Sequence, residues 1–68
     1  MPFFAYIEEG STIVAIVIIA DDIEWCRTAM PGLTGTWLET FENHPTEIRA
    51  NVGYRYDAED PRKFIPPG

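Results

Sequence analysis

The chain carries one cysteine, Cys26, and one histidine, His44. A lone thiol excludes an internal disulfide framework. One histidine and one thiol also fall short of the four nitrogen and sulfur ligands of a structural zinc site. No metal and no cofactor are therefore expected. Basic residues are scarce as well, five against eleven acidic ones, for a net charge of −6. That balance leaves no electrostatic footprint for a phosphate backbone, so nucleic acid is not an expected partner. The apolar run over residues 13–20 is far shorter than the ~20 residues that span a bilayer. Glu8 and Glu9 precede it where a secretion signal would carry positive charge. Synthesis in the cytoplasm, one reduced cysteine and no membrane partner are the expectation.

What the chain does contain is globular material, 46% apolar and 13% aromatic, which argues against disorder. Its 68 residues make one small domain, residues 1–68. A chain of this size buries only about 60% of the surface its unfolded form exposes. Small domains compensate with disulfides, a metal or association, and association is the route left open here. Charge is unevenly placed. Residues 1–47 carry −7, with Arg27 alone against eight carboxylates, while residues 48–68 carry +1 through Arg49, Arg55, Arg62 and Lys63. Head-to-tail contact between unlike ends competes with the plainer reading of a solvated acidic surface.

Residues 2–8 read as a strand, with Phe3, Phe4, Tyr6 and Ile7, and residues 12–20 as a second, joined by Glu9-Gly10-Ser11 into a hairpin. The second strand is apolar on both faces: Ile13, Ala15, Val17 and Ile19 alternate with Val14, Ile16, Ile18 and Ala20. A half-solvated strand would alternate with polar residues, so this one needs cover on both sides, part of it expected from a neighbouring subunit. Asp21 and Asp22 open a short helix, with Asp21 and Glu24 at capping-box spacing and Ile23, Cys26 and Met30 as its inward stripe. Pro31-Gly32 ends it. Residues 36–41 form a third strand, with Trp37, Glu39 and Phe41 on one side and Leu38 and Thr40 on the other. Residues 52–57 and 63–65 form a second hairpin, with Tyr54 and Tyr56 on one face and Arg55 opposite. The pattern predicts an α+β, β-rich fold: two β-hairpins plus a central strand in a small antiparallel sheet with one short helix, the strand order left open.

Catalysis finds little to work with. Cys26 lies on the helix's apolar stripe, which marks a buried, inert thiol. His44 stands in a polar loop beside Pro45, and the glycines are scattered at turns rather than gathered in a phosphate loop. A glycosidase-type carboxylate pair is compatible with the residue types, but so small a chain has little wall for a cleft. The expectation is a protein that is not an enzyme. Trp25, Trp37, Tyr54, Tyr56 and Phe64 allow a stacking platform for sugar, against the simpler reading as core and interface.

The run Asn51-Val52-Gly53-Tyr54-Arg55-Tyr56-Asp57, followed by Arg62-Lys63-Phe64-Ile65-Pro66-Pro67, resembles a small protein family of tailed phages, especially those of cyanobacteria and other marine bacteria. Its members carry an Asn-x-Gly-x-Gly-Tyr-x-Tyr-Asp-like stretch and then Asp-x-Phe-Ile-Pro-Pro. Phe4-Ala5-Tyr6-Ile7-Glu8, residues 14–20, Trp37-Leu38-Glu39-Thr40 and Arg49-Ala50-Asn51 are similar to other parts of the family pattern, so the resemblance covers most of the chain. Two features differ. The first glycine of the family run is absent, and the family's Lys-Pro-x-Pro-Ser-Trp tail is not among these residues.

The resemblance implies a virion-associated structural role: capsid decoration (cement) protein, or accessory of the tail or fibre, bound to repeated copies of a larger phage structural protein. A homo-oligomer or array fits that role. The protein interface is assigned to Val14, Ile16, Ile18, Tyr54, Tyr56, Phe64, Ile65, Pro66 and Pro67. Two other readings stand beside it: a glycan- or receptor-binding module using Trp37, Tyr54 and Tyr56, and a small intracellular effector that inhibits a host protein.

Overall fold

The computed structural model describes residues 2–67. It has the order β1 (Phe3–Ile7), β2 (Val14–Ile19), α1 (Ile23–Ala29), β3 (Thr36–Thr40), β4 (Arg55–Tyr56) and β5 (Phe64–Ile65). The fold is α+β and rich in strand. β1, β2 and β3 form an antiparallel sheet in the order β2-β1-β3, and β4 and β5 pair as a separate antiparallel ribbon. The strand at the centre is thus the first in sequence.

Strand formation follows side-chain type. β1 and β2 consist of branched, aromatic and alanine residues, which pack well on a pleated surface. Phe3 to Tyr6 run opposite Ile19 to Ile16 in strict register, after which Ile7 pairs with Val14 and Ala15 is left over as a β-bulge. An extra residue in one strand reverses which face each following side chain takes. Val14 therefore lies on the side opposite Ile16 and Ile18. This corrects the simple alternation expected over residues 13–20, in which all three share a face.

The two faces are covered by different parts of the chain. On one, Phe4, Tyr6, Ala20, Cys26 and Trp37 make a buried cluster, with Ile16, Ile18, Ile23, Met30 and Leu33 partly buried around it. Helix α1 supplies this cover through Cys26, its one buried residue. On the other, Ala5, Ile7, Val14, Ala50 and Phe64 are buried, with Val17, Leu38, Tyr54 and Tyr56 packed against them. Here the β4–β5 ribbon is the lid. The doubly apolar β2 is thus covered from within the chain on both faces, though incompletely.

Local signals place these pieces. The helix is capped by Asp22, one residue later than the predicted Asp21: its carboxylate accepts from the Trp25 N–H at 2.8 Å. Bonds to the orphan N–H groups of a helix start are what this position offers. The chain leaves the helix at Met30 and returns to β3 past Gly35, whose N–H donates to the Tyr6 hydroxyl at 2.8 Å. A methyl group at Gly35 would overlap the Ile7 carbonyl oxygen, so glycine is needed for this close approach. After β3 the chain is pinned twice. The Ala50 N–H donates to Thr40 Oγ1 at 2.7 Å, and the Ile48 N–H donates to the Arg62 carbonyl at 2.9 Å.

Candidate assembly surface

The ribbon is tied to the sheet at the outer edge of β2. Val14 N–H donates to the Tyr54 carbonyl (2.8 Å), Gly53 N–H to the Val14 carbonyl (3.0 Å), and Tyr56 N–H to the Thr12 carbonyl (2.7 Å). Arg55 sits opposite Ile13. Gly53 makes this junction with φ of +94°, a conformation that side chains other than glycine resist. Residues 12–14 thus have their outer edge closed by the chain itself. Beyond Val14, no backbone hydrogen bond from another segment closes the outer edge of residues 15–19 among the described residues.

Large apolar side chains gather along this half-open edge. Ile13 is 46% exposed, Ile19 53% and Val52 64%. Trp25 and Phe41 are the other large apolar side chains left out in the open. Sequence periodicity gave no sign of Val52, because exposure there follows from the turn preceding Gly53 rather than from a repeating pattern. The absence of charge over residues 11–20 was the signal for the edge itself.

The predicted interface residues divide into separate groups. Val14 and Phe64 are 1% and 3% exposed, in the chain's own core under the ribbon. Tyr54 and Tyr56 are half-buried against the same cluster, and Tyr56 stacks obliquely on Phe64 with ring centroids 5.3 Å apart. Ile16 and Ile18 are half-buried on the opposite face, separated from that group by the sheet. Ile65 is half-buried, and Pro66 and Pro67 are exposed. Of the aromatic residues that would form a sugar platform, Trp37 is buried beside Tyr6 with centroids 5.1 Å apart. It belongs to the helix-covered face, whereas Tyr54 and Tyr56 belong to the other.

The lone thiol and the lone imidazole both have structural engagements. Cys26 is fully buried; burial, with a lesser contribution from the nearby Asp22 charge, pushes its thiol pKa up. That suppresses the reactive thiolate. His44 Nδ1 accepts from the Thr46 N–H (3.2 Å) and the Glu47 N–H (3.0 Å), so the ring closes its own turn. Two shallow depressions, of about 250 and 390 Å³, share Leu38 and Tyr56 along the rim of the ribbon. Neither is lined by Cys26 or His44. Among the described residues no group of three or more His, Cys, Asp or Glu side chains could hold a metal ion, and no helix is long and apolar enough to cross a membrane.

The basic side chains are nearly all occupied. Arg27 pairs with Glu24 at 2.7 Å, Arg62 with Asp60 at 3.0 Å, and Arg49 lies 4.7 Å from the Phe3 ring centre and 4.0 Å from Glu42. Lys63 Nζ donates to the Ala58 carbonyl at 2.8 Å. Arg55 is exposed and has no ion pair within 4.0 Å among the described residues. Comparison with protein-family models, curated proteins and solved structures finds no match for this chain.

Proposed function

We propose that this chain is a non-catalytic structural module of a phage particle, a capsid decoration protein or an accessory of the tail or fibre. It is made in the host cytoplasm and acts by packing against repeated copies of a larger structural protein. The phage assignment is supported by the resemblance of residues 51–57 and 62–67 to the tailed-phage family. The assembly role is supported by one observation above others: among the described residues no backbone hydrogen bond closes the outer edge of β2 over residues 15–19, which exposed Ile13, Ile19 and Val52 flank. An uncharged free edge is a template for pairing with another chain. Repetition over a symmetric shell multiplies a modest contact through avidity.

Placement of the aromatic rings favours this role over glycan binding, since Trp37 and the Tyr54–Tyr56 pair lie on opposite faces of the sheet. The deciding measurement is mass spectrometry of purified particles. The chain is expected in fixed stoichiometry to a major structural protein. Its absence from particles while abundant in infected cells would sink the virion role and favour the intracellular effector.

A further inference from the structure

We infer that the free half of the β2 edge is closed by the same edge of a second copy, paired antiparallel about a two-fold axis at Val17. This rests on the assembly role proposed above and names the partner of that surface. The backbone is arranged for it. Ala20 N–H turns inward to the Pro2 carbonyl at 3.2 Å, and in an antiparallel ladder alternate residues bond to opposite sides. Val17 and Ile19 therefore present their N–H and C=O groups outward. The bulge at Ala15 lies at the boundary with the closed half, leaving residues 16–19 regular. The usual safeguards of an edge, a charged side chain or a proline, are missing over residues 11–20.

The register identifies a second copy as the occupant. With Val17 on the axis, Ile16 faces Ile18 of the second copy, and the large Ile19 faces the small, exposed Ala15. The shared ladder ends where the other copy's ribbon takes the outer edge of its Val14, and there Asp21 and Asp22 leave it beside that ribbon, in which Arg55 stands opposite Ile13. Arg55 is the exposed arginine with no ion pair within 4.0 Å among the described residues, its influence on Asp60 being a minor electrostatic one. Symmetry makes this acid-to-arginine contact twice, once at each end of the shared ladder. It also sets exposed Ile19 next to exposed Val52 of the second copy. A two-fold contact of this kind is self-complementary and closes on itself.

Sedimentation equilibrium of the full chain over a wide concentration range, with circular dichroism to check folding, tests the inference. A reversible dimer is expected. Ile19→Lys should abolish it, since this half-exposed position tolerates the change in the monomer. Asp21→Arg and Arg55→Asp should each weaken dimerisation by about tenfold through like-charge contact, and the two together should restore it. A chain that stays monomeric at every concentration would overturn the inference. So would a dimer indifferent to all three substitutions, which would place the contact elsewhere. A monomer in solution that is nevertheless present in purified particles would refute this pairing and leave the virion role standing.

Discussion

The Thr40 hydroxyl accepts a hydrogen bond from the Ala50 N–H at 2.7 Å, with both residues buried. This contact joins the end of β3 to the segment that leads into the ribbon. It is the means by which a polar, irregular stretch is turned back under the sheet. A buried N–H deprived of its acceptor costs about 1–3 kcal/mol. Thr40→Val keeps the shape and removes the acceptor, so it should destabilise by about that amount, whereas Thr40→Ser should cost less. Each kcal/mol corresponds to roughly 4–8 °C in the melting temperature of a domain this size, which differential scanning calorimetry resolves.

Gly35 gives a sharper test. Tyr6→Phe removes the hydroxyl that receives the Gly35 N–H and should cost about 1–2 kcal/mol. Gly35→Ala should cost more, because the added methyl overlaps the Ile7 carbonyl and lies 2.8 Å from the Tyr6 hydroxyl. It forces the approach to β3 apart and breaks the same hydrogen bond. Urea unfolding followed by tryptophan fluorescence should give midpoints in the order wild type, Tyr6→Phe, Gly35→Ala, from highest to lowest. The reverse order for the two variants would disprove the steric account.

Asp60 and Arg62 make a local clamp across the ribbon's loop. Hydrogen bonds from the Arg62 side chain, then from its backbone N–H, hold the Asp60 carboxyl pKa down to about 2. Arg55 adds a minor electrostatic share. A depressed carboxylate stabilises the fold above its unfolded pKa of about 3.9. That contribution is lost as pH falls from about 4 toward 2. A carbon-detected NMR titration of Asp60 should give a midpoint near 2, and Arg62→Leu should raise it toward about 3.9. An unchanged midpoint in that variant would show that Arg62 is not the cause.

Cys26 should be inert while the chain is folded. Its burial against Phe4, Tyr6 and Trp37 raises its pKa, so an aromatic disulfide reagent should label it only through unfolding. In the unfolded chain the thiol ionises from about pH 8.5. Above that pH the unfolded state holds fewer protons than the folded one, so stability should fall as pH rises. Cys26→Ala should abolish that alkaline loss. Labelling of the native protein at the rate of a free thiol would contradict the placement.

Much of the architecture was legible in the amino-acid order. Branched and aromatic runs located all five strands, and the Asp pair, the Ile23-Cys26-Met30 stripe and Pro31-Gly32 bracketed the helix. Residues 52–57 and 63–65 suggest strands longer than β4 and β5, whose ladder pairs only two residues of each. The bulge at Ala15 was invisible, since an apolar residue at every position of β2 leaves no alternation from which a slip can be seen. That single residue moves Val14 across the sheet and separates it from Ile16 and Ile18. The spacing marks the tyrosine–proline hairpin as a unit, but its role as the lid over Ala5 and Ile7 depends on long-range packing that spacing does not encode.

The position of β1 bears on how the chain acquires its structure. Residues 3–7 are synthesised before both of their neighbours, which end at residues 19 and 40, and before Phe64, which helps cover Ala5 and Ile7. The earliest segment has to wait for the latest before its second face is shielded from water. Pairings so distant in sequence favour slow folding, with little stability in any partial product. The nascent chain therefore passes through a stage at which the β2 edge and the uncovered face of β1 are exposed together. In that interval encounter with another copy competes with completion of the fold.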